Sequence, residues 1–171
     1  MHFQPSWADK ELLVLGCGNV LFGDDGFGPA LAEYMNGDTI PNHVPLPIPG
    51  HALVLDAGSS VRDILFDVVL SEKVPRRIVV ADALDCGRNP GEVFELSVDD
   101  IPAGKLDDFS IHQVPTSNLL RELRDHKGVD VRILAAQPAH IPADVKPGLS
   151  SIMQQAVVAA AEVLRDRYLK E

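Results

Sequence analysis

The sequence predicts an α/β fold, a three-layer sandwich in which helices cover both faces of a mostly parallel, twisted sheet of about five strands. Short runs rich in Val, Ile and Leu recur along the chain, as is typical of strands buried on both faces. Segments with helical spacing of apolar residues alternate with these runs. A chain of 171 residues fits one folding unit, so we expect a single domain over residues 1–171.

The predicted strands are compact apolar runs, and the predicted helices lie between them. The strands are residues 12–15, 52–55, 77–81 and 131–135, with 93–96 as an edge strand. The helices are residues 61–70, 117–124 and 149–169, together with one that follows the first strand and its loop. We expect Pro29 in the first turn of that helix and Asn36-Gly37 at its end. Residues 41–50 contain four prolines and predict an extended surface loop.

Ligands of such a sheet bind outside the carboxyl ends of the strands, near the point where the strand order reverses. The predicted strands are followed there by residues 16–28, by Asp56, by Asp82 and by residues 136–138. Acidic residues therefore occur at three of the four strand ends, and these ends are where we expect the functional site.

The loop 16–28 contains five glycines and the adjacent acids Asp24 and Asp25. A dinucleotide-binding loop would place its third glycine where Leu21 stands, and two acids would repel a pyrophosphate, which leaves nucleotide binding as the weakest hypothesis. The glycines instead allow a sharp reversal that presents Asp25 at the sheet edge towards a cation. The alternative interpretation is that one aspartate caps the following helix and the other is solvated.

Three further side chains are candidates for the same edge. Asp82 directly follows an apolar run, although a turn or helix-cap aspartate would look the same. Asp56 is either a third acid or simply the start of a turn. His112 lies in a loop before a helix, where most histidines have ordinary roles. Asp25, Asp82 and His112 together would offer two oxygens and one nitrogen to zinc, nickel or another divalent ion and support metal-assisted hydrolysis.

Charge and composition exclude several classes of protein. Fifteen basic and twenty-five acidic residues give a formal charge of −10, so we expect neither nucleic acid nor a membrane as partner. No apolar run approaches the roughly 20 residues of a membrane span, and the first residues do not resemble a signal peptide, which predicts a cytoplasmic protein. Cys17 and Cys86 are expected to be reduced thiols.

Several ordered motifs resemble those of the hydrogenase maturation endopeptidases. They are GCGNVLFGDDGFGPALAEYM, VLDAGSS, IVVADALDCGRNPGEVFEL, SIHQVP and QPAHIPADVKPGLSSIMQQAVVAAAEVL. The first motif matches the family pattern G-x-G-N-x-L-x-x-D-[DE]-x-x-G, and the resemblance covers nearly all the chain after residue 11. Among the members, the sequence is most similar to those that serve the deazaflavin-reducing hydrogenases of methanogens.

The resemblance implies a metal-dependent, aspartate-containing endopeptidase that removes the C-terminal extension from the precursor of a [NiFe]-hydrogenase large subunit. In the family, the positions of Asp25, Asp82 and His112 bind a metal, and that of Asp56 is associated with function, so these four are the implied catalytic residues. Nickel is the implied metal and is expected to arrive with the precursor, where the protease recognises it before cleavage. Zinc or cadmium could substitute for it in a crystal.

Two features depart from the family pattern, and one alternative function stays open. The proline-rich loop 41–50 is longer than in the family, and Ile111 stands where proline is common. The alternative is a non-catalytic nickel-binding metallochaperone, in which Cys17 or Cys86 joins the same three residues as a soft ligand. The identity of the precursor, the general acid or base and the oligomeric state do not follow from the sequence.

Overall fold

A computed structural model describes residues 6–38, 40–44, 47–101 and 116–170 of the chain. The described strands form one five-stranded sheet in the order β2-β1-β3-β5-β4. They are β1 Leu12–Cys17, β2 Ala52–Gly58, β3 Arg77–Ala83, β4 Val93–Leu96 and β5 Asp130–Ala136. Strands β2, β1, β3 and β5 are parallel, and β4 runs antiparallel to β5 at one edge.

Helices follow the strands in the alternation that the sequence predicts. They are α1 Phe27–Met35, α2 Val61–Leu70, α3 Thr116–Asp125 and α4 Ser151–Leu164, which continues directly into a π-helix at Arg165–Leu169. Short 3₁₀ helices occupy Gly23–Gly26 and Val98–Asp100. In the described residues no helix is long and apolar enough to cross a membrane.

The sheet separates two apolar cores because successive strand residues point to opposite faces. Leu12 and Val14 of β1 face α1 and α4, whereas Leu13 and Leu15 face α2 and α3. All four leucine and valine side chains are at most 3% exposed. Helices therefore cover both faces of the sheet, which confirms the predicted three-layer α/β sandwich. The expected single domain over residues 1–171 stays a prediction.

The end of α1 matches the sequence signals. Pro29 is the third residue of the helix, and Asn36 stands at its C-cap. The Asn36 side-chain amide donates to the carbonyl of Ala32 at 2.8 Å and to that of Val54 at 3.0 Å, which ties the helix end to β2. Gly37 then adopts a φ of 118°, a conformation that favours glycine. The predicted stop is confirmed.

Four strands, β1, β2, β3 and β5, run further than their apolar runs predicted. Gly16 pairs with Asp56, and Asp82 pairs with Ala135, so both aspartates are strand residues and not turn residues. The placement of Asp82 after its strand was wrong because backbone pairing continues past the last aliphatic side chain. Described residues within 41–50 contribute no strand to the sheet, as the prolines predicted.

Candidate functional site

The sheet reverses its winding between β1 and β3. The chain moves from β1 outwards to β2, then returns to place β3 on the other side of β1. In open parallel sheets the crevice at this point, beyond the carboxyl ends of the strands, is where ligands bind. The loop after β1 contains Asp25, and the end of β3 contains Asp82, so two candidate residues belong to the strands that flank the reversal.

The glycines of the first loop permit close backbone packing at this edge. A Cβ atom on Gly28 would lie 2.2 Å from the carbonyl oxygen of Cys17 and 2.4 Å from that of Ala81. A Cβ atom on Gly18 would lie 1.9 Å from the carbonyl oxygen of Asp25, and Gly18 has a φ of 132°. The loop therefore presses the start of α1 onto β1 and β3 and folds back over itself, as the glycine pattern predicted.

Asp25 is half-buried in the wall of an open cleft of about 460 Å³. The backbone N–H of Asn19 donates to its Oδ2 atom at 2.9 Å. The cleft is lined by the first loop, the segment around the start of α2 and the loop before α4. The lining residues are Gly18, Asn19, Phe22, Asp25, Gly58, Ser59, Val61, Arg62, Ile141, Pro142 and Ala143. Its volume suits a small ligand or a short stretch of peptide.

Asp24 has a different role from its neighbour. It is 1% exposed, and its Oδ2 atom accepts the backbone N–H groups of Ala139 at 2.9 Å and His140 at 3.1 Å. Ser150 donates its N–H to Oδ1 at 2.7 Å and its hydroxyl to Oδ2 at 3.0 Å. This carboxylate therefore fastens the loop before α4 to the loop that contains Asp25.

The alternative interpretation of the two acids is wrong. Gly26 is the N-cap of α1 and no side chain caps this helix, so neither aspartate serves as its cap. Asp24 is buried and not solvated. The sequence gives no local signal for the structural role of Asp24, because its hydrogen-bond partners lie more than a hundred residues further along the chain.

Asp56 near the end of β2 and Asp82 near the end of β3 lie at the same edge of the sheet, on either side of β1, and differ in burial. Asp82 is 2% exposed and lies on the face of β3 that α2 and α3 cover, the same face as Val80. Asp56 is exposed, and its Oδ1 atom would lie 3.6 Å from a Cβ atom on Gly58, which lines the cleft. The structure thus places Asp56 beside the cleft wall and Asp82 within the protein at the end of β3.

His112 and Ile111 lie outside the described residues, so the structure does not place the third candidate ligand. Helix α3, which begins at Thr116, packs on the sheet face to which Asp82 belongs. Among the described residues no group of three His, Cys, Asp or Glu side chains could hold a metal ion. The joint metal-binding role of Asp25, Asp82 and His112 therefore stays a prediction.

Gln137 is a buried side chain at this edge that the sequence did not single out. Its Oε1 atom accepts the N–H groups of Cys86 at 2.8 Å and Arg88 at 3.1 Å, and its amide donates to Asp85 at 2.9 Å. The bonds from Gln137 and from the backbone N–H of Gly87 lower the pKa of Asp85. Gln137 thereby fixes the loop that leaves β3.

The two cysteines are both described, and no disulfide joins them, as expected. Cys17 is buried, and its thiol donates to the carbonyl of Leu15 at 3.5 Å. Burial raises the pKa of the Cys86 thiol, which disfavours the thiolate that a soft metal needs.

The fold and the cleft together define a doubly wound α/β protein with a carboxylate-bearing cleft beyond the carboxyl end of β1. The sequence model of the hydrogenase maturation protease family matches residues 35–166, and the chain belongs to this family. The matched range includes Asp56, Asp82 and His112, whereas Asp25 precedes it.

Curated relatives agree with this assignment. The chain is 35% identical over 156 residues to a Methanocaldococcus jannaschii protein provisionally named a hydrogenase maturation protease, covering 91% of this chain and 94% of that protein. It is 32% identical over 163 residues to the coenzyme F420 hydrogenase subunit delta of Methanothermobacter thermautotrophicus, covering 92% and 94%. It is 32% identical over 126 residues to the hydrogenase 3 maturation protease of Escherichia coli strain K12, covering 74% and 72%.

Solved structures share the fold. A crystal structure of the hydrogenase 3 maturation protease superposes with a TM-score of 0.67 at 26% identity, covering 91% of this chain and 89% of that one. The hydrogenase maturating endopeptidase HybD of E. coli gives a TM-score of 0.66 at 23% identity, covering 92% and 94%, and supports the fold alone. The family resemblance seen in the sequence motifs is confirmed.

Proposed function

We propose that this chain is the endopeptidase that removes the C-terminal extension from a [NiFe]-hydrogenase large subunit precursor, and that it acts at the cleft beyond the carboxyl ends of β1 and β2. The observation that carries the proposal is the position of Asp25, a half-buried carboxylate in the wall of an open cleft of about 460 Å³ beyond the carboxyl end of β1. Family membership supplies the reaction class.

In this proposal the precursor brings the nickel, and Asp25, Asp82 and His112 are the residues that contact it. Two carboxylates and an imidazole suit a divalent ion of this kind and leave positions for ligands from the precursor. Nickel held there would polarise the scissile carbonyl or lower the pKa of an attacking water. In the same proposal Asp56, which is exposed beside the cleft wall, accepts a proton from that water.

The proposed precursor belongs to a deazaflavin-reducing hydrogenase. One relative with 32% identity over 94% of its length is named as a subunit of the coenzyme F420 hydrogenase, and F420 is a deazaflavin. The proposed location is the cytoplasm, in line with the sequence-based expectation.

The metallochaperone alternative gains no support from the thiols. Cys17 is buried with its thiol directed to the carbonyl of Leu15, and burial raises the pKa of the Cys86 thiol. Burial makes Cys17 inaccessible, and the raised pKa of Cys86 disfavours its thiolate, the form that would suit nickel transfer.

The experiment compares nickel-loaded and nickel-free precursor of the cognate hydrogenase, each incubated with the purified protein and weighed by mass spectrometry. We expect loss of a C-terminal peptide from the loaded precursor alone, and no cleavage of it by a His112→Ala variant. Asp67→Asn, which changes an exposed carboxylate on α2 outside the cleft lining, is the matched control and should cleave normally. Equal cleavage of both precursor forms would contradict nickel recognition, and cleavage of neither would contradict the protease.

A further inference from the structure

Arg62 is a second charged side chain in the wall of the cleft that contains Asp25. It is the second residue of α2, and its side chain is 30% exposed. Its guanidinium group lies 3.7 Å from Oδ1 of the adjacent Asp63, whose side chain is 78% exposed. An exposed ion pair between sequence neighbours at this distance is weak, because water competes for both groups.

Most other arginines of the described chain are held by closer carboxylates. Arg88 donates to Glu92 at 2.7 Å, and Arg124 donates to Asp99 at 2.8 Å. The same pattern applies to Arg77, Arg121, Arg132, Arg165 and Arg167. Among the described residues Arg62 makes its polar contact with Asp63, and at 3.7 Å that contact is longer than those of these other arginines. Arg62 lines the cleft, is partly exposed, and makes no short hydrogen bond to a carboxylate in the described part of the chain that would occupy its five guanidinium N–H groups.

The surroundings of Arg62 reinforce its positive charge. Gly58, Ser59 and Val61 also line the cleft, so the N-terminus of the ten-residue helix α2 borders it. No side chain caps this helix end at Ser60. Helix N-termini carry a partial positive charge from their unpaired N–H groups. The helix N-terminus therefore adds partial positive charge beside Arg62, across the cleft lining from Asp25, while the nearby carboxylates of Asp56 and Asp63 are exposed to solvent.

We propose that Arg62 binds a carboxylate of the precursor's C-terminal segment and thereby sets the direction and register of that peptide across Asp25. This inference rests on the proposed function. The planar guanidinium group binds a carboxylate through two parallel hydrogen bonds, which constrains both position and orientation. The carboxylate is either an acidic side chain of the segment or the terminal carboxylate of the chain. Arg62 is thus a substrate-binding residue and takes no part in bond cleavage.

The test measures KM and kcat for cleavage of nickel-loaded precursor, and the Kd of the precursor by surface-based binding. Arg62→Gln should raise KM and Kd by about ten- to a hundred-fold, the effect of losing hydrogen bonds to a charged group, with kcat changed less than about threefold. Arg62→Lys should recover part of the affinity. Arg76→Gln is the matched control, because Arg76 is exposed just before β3, at the opposite end of the sheet, and should leave both constants unchanged.

Two precursor variants distinguish the sources of the carboxylate. One has the acidic side chains of its C-terminal segment changed to amides, and the other ends in a C-terminal amide. The precursor variant that lacks the bound carboxylate should bind the unaltered protein with the same raised Kd that Arg62→Gln shows for the unaltered precursor. Combining that precursor variant with Arg62→Gln should raise the Kd no further. Equal KM and Kd for Arg62→Gln and the unaltered protein, or full additivity with both precursor variants, would overturn the proposal.

The proposed function can fail separately from this inference. If the unaltered protein cleaves no precursor, the protease proposal fails. The Kd comparison then still decides whether Arg62 binds a carboxylate of the precursor, because it requires no cleavage.

Discussion

Asp24 and Asp25 are adjacent carboxylates with opposite predicted effects on stability and activity. Asp24 accepts four hydrogen bonds from the loop before α4, whereas Asp25 lines the cleft. We expect Asp24→Ala to destabilise the fold and Asp25→Asn to abolish cleavage while leaving stability nearly unchanged. The pair therefore tests, within a single dipeptide, a structural role for Asp24 against the proposed role of Asp25 in cleavage.

The size of the Asp24 effect follows from its partners. Alanine leaves the N–H groups of Ala139, His140 and Ser150 and the hydroxyl of Ser150 without their acceptor. Removing one side of a buried, charge-assisted network costs about 3 to 5 kcal/mol in free energy of unfolding. Asparagine can place its oxygen at the position of Oδ2 and keep three of these bonds, but its amide then faces the Ser150 N–H. We expect Asp24→Asn to cost about 1 to 3 kcal/mol.

Urea denaturation followed by circular dichroism measures these free energies directly. For a chain of this size, 3 to 5 kcal/mol corresponds to a fall in Tm of about 6 to 20 °C. The order of stability should be unaltered protein, Asp24→Asn, then Asp24→Ala, with Asp25→Asn close to the unaltered protein. A loss below about 1 kcal/mol for Asp24→Ala, or an equal loss for Asp25→Asn, would refute the assignment of roles.

Three further predictions concern packing, pH dependence and loop order. Gly28→Ala should fail to fold or lose several kcal/mol of stability, seen in its melting curve, since its Cβ would lie 2.2 Å from the carbonyl oxygen of Cys17. Burial would raise the pKa of Asp130, but the hydrogen bond from Arg77 helps to lower it below its ordinary value. The ionised Asp130 therefore stabilises the fold above the unfolded pKa of about 3.9, and this contribution is lost as the pH falls through the lower folded pKa. Asp130→Asn should therefore lose about 1 kcal/mol in urea denaturation at pH 7 and nothing at the acid end, and a constant difference at all pH values would contradict this. Gln137→Leu should speed amide hydrogen exchange at Cys86 and Arg88, whose N–H groups would lose their acceptor. Unchanged protection of these amides would show that Gln137 does not fix the loop after β3.

The sequence predicted the sheet and its helices because their cores are strongly patterned. Helix α2 lies at the predicted residues 61–70, since Val61, Leu65 and Val68 repeat with helical spacing and are buried. Strand ends were less accurate. Asp56 and Asp82 continue their strands through backbone pairing that no side-chain pattern reveals.

The sequence predicted those features of the candidate site that depend on neighbouring residues, and it did not predict those that depend on contacts between distant segments. Glycines before a helix indicated a tight reversal that presents Asp25, and the structure places this carboxylate in a cleft. The burial of Asp24 depends on residues 139–150, far along the chain, and the availability of Arg62 depends on which carboxylates lie near it. Such relations arise only in the folded chain.

The central claim is that Asp25 acts on a nickel-loaded precursor in the cleft, and the most direct measurement is the mass of that precursor after incubation with the unaltered protein or with Asp25→Asn. We expect loss of the C-terminal extension with the unaltered protein and an intact precursor with Asp25→Asn, although both proteins unfold at nearly the same urea concentration. Equal processing by the two proteins would contradict it.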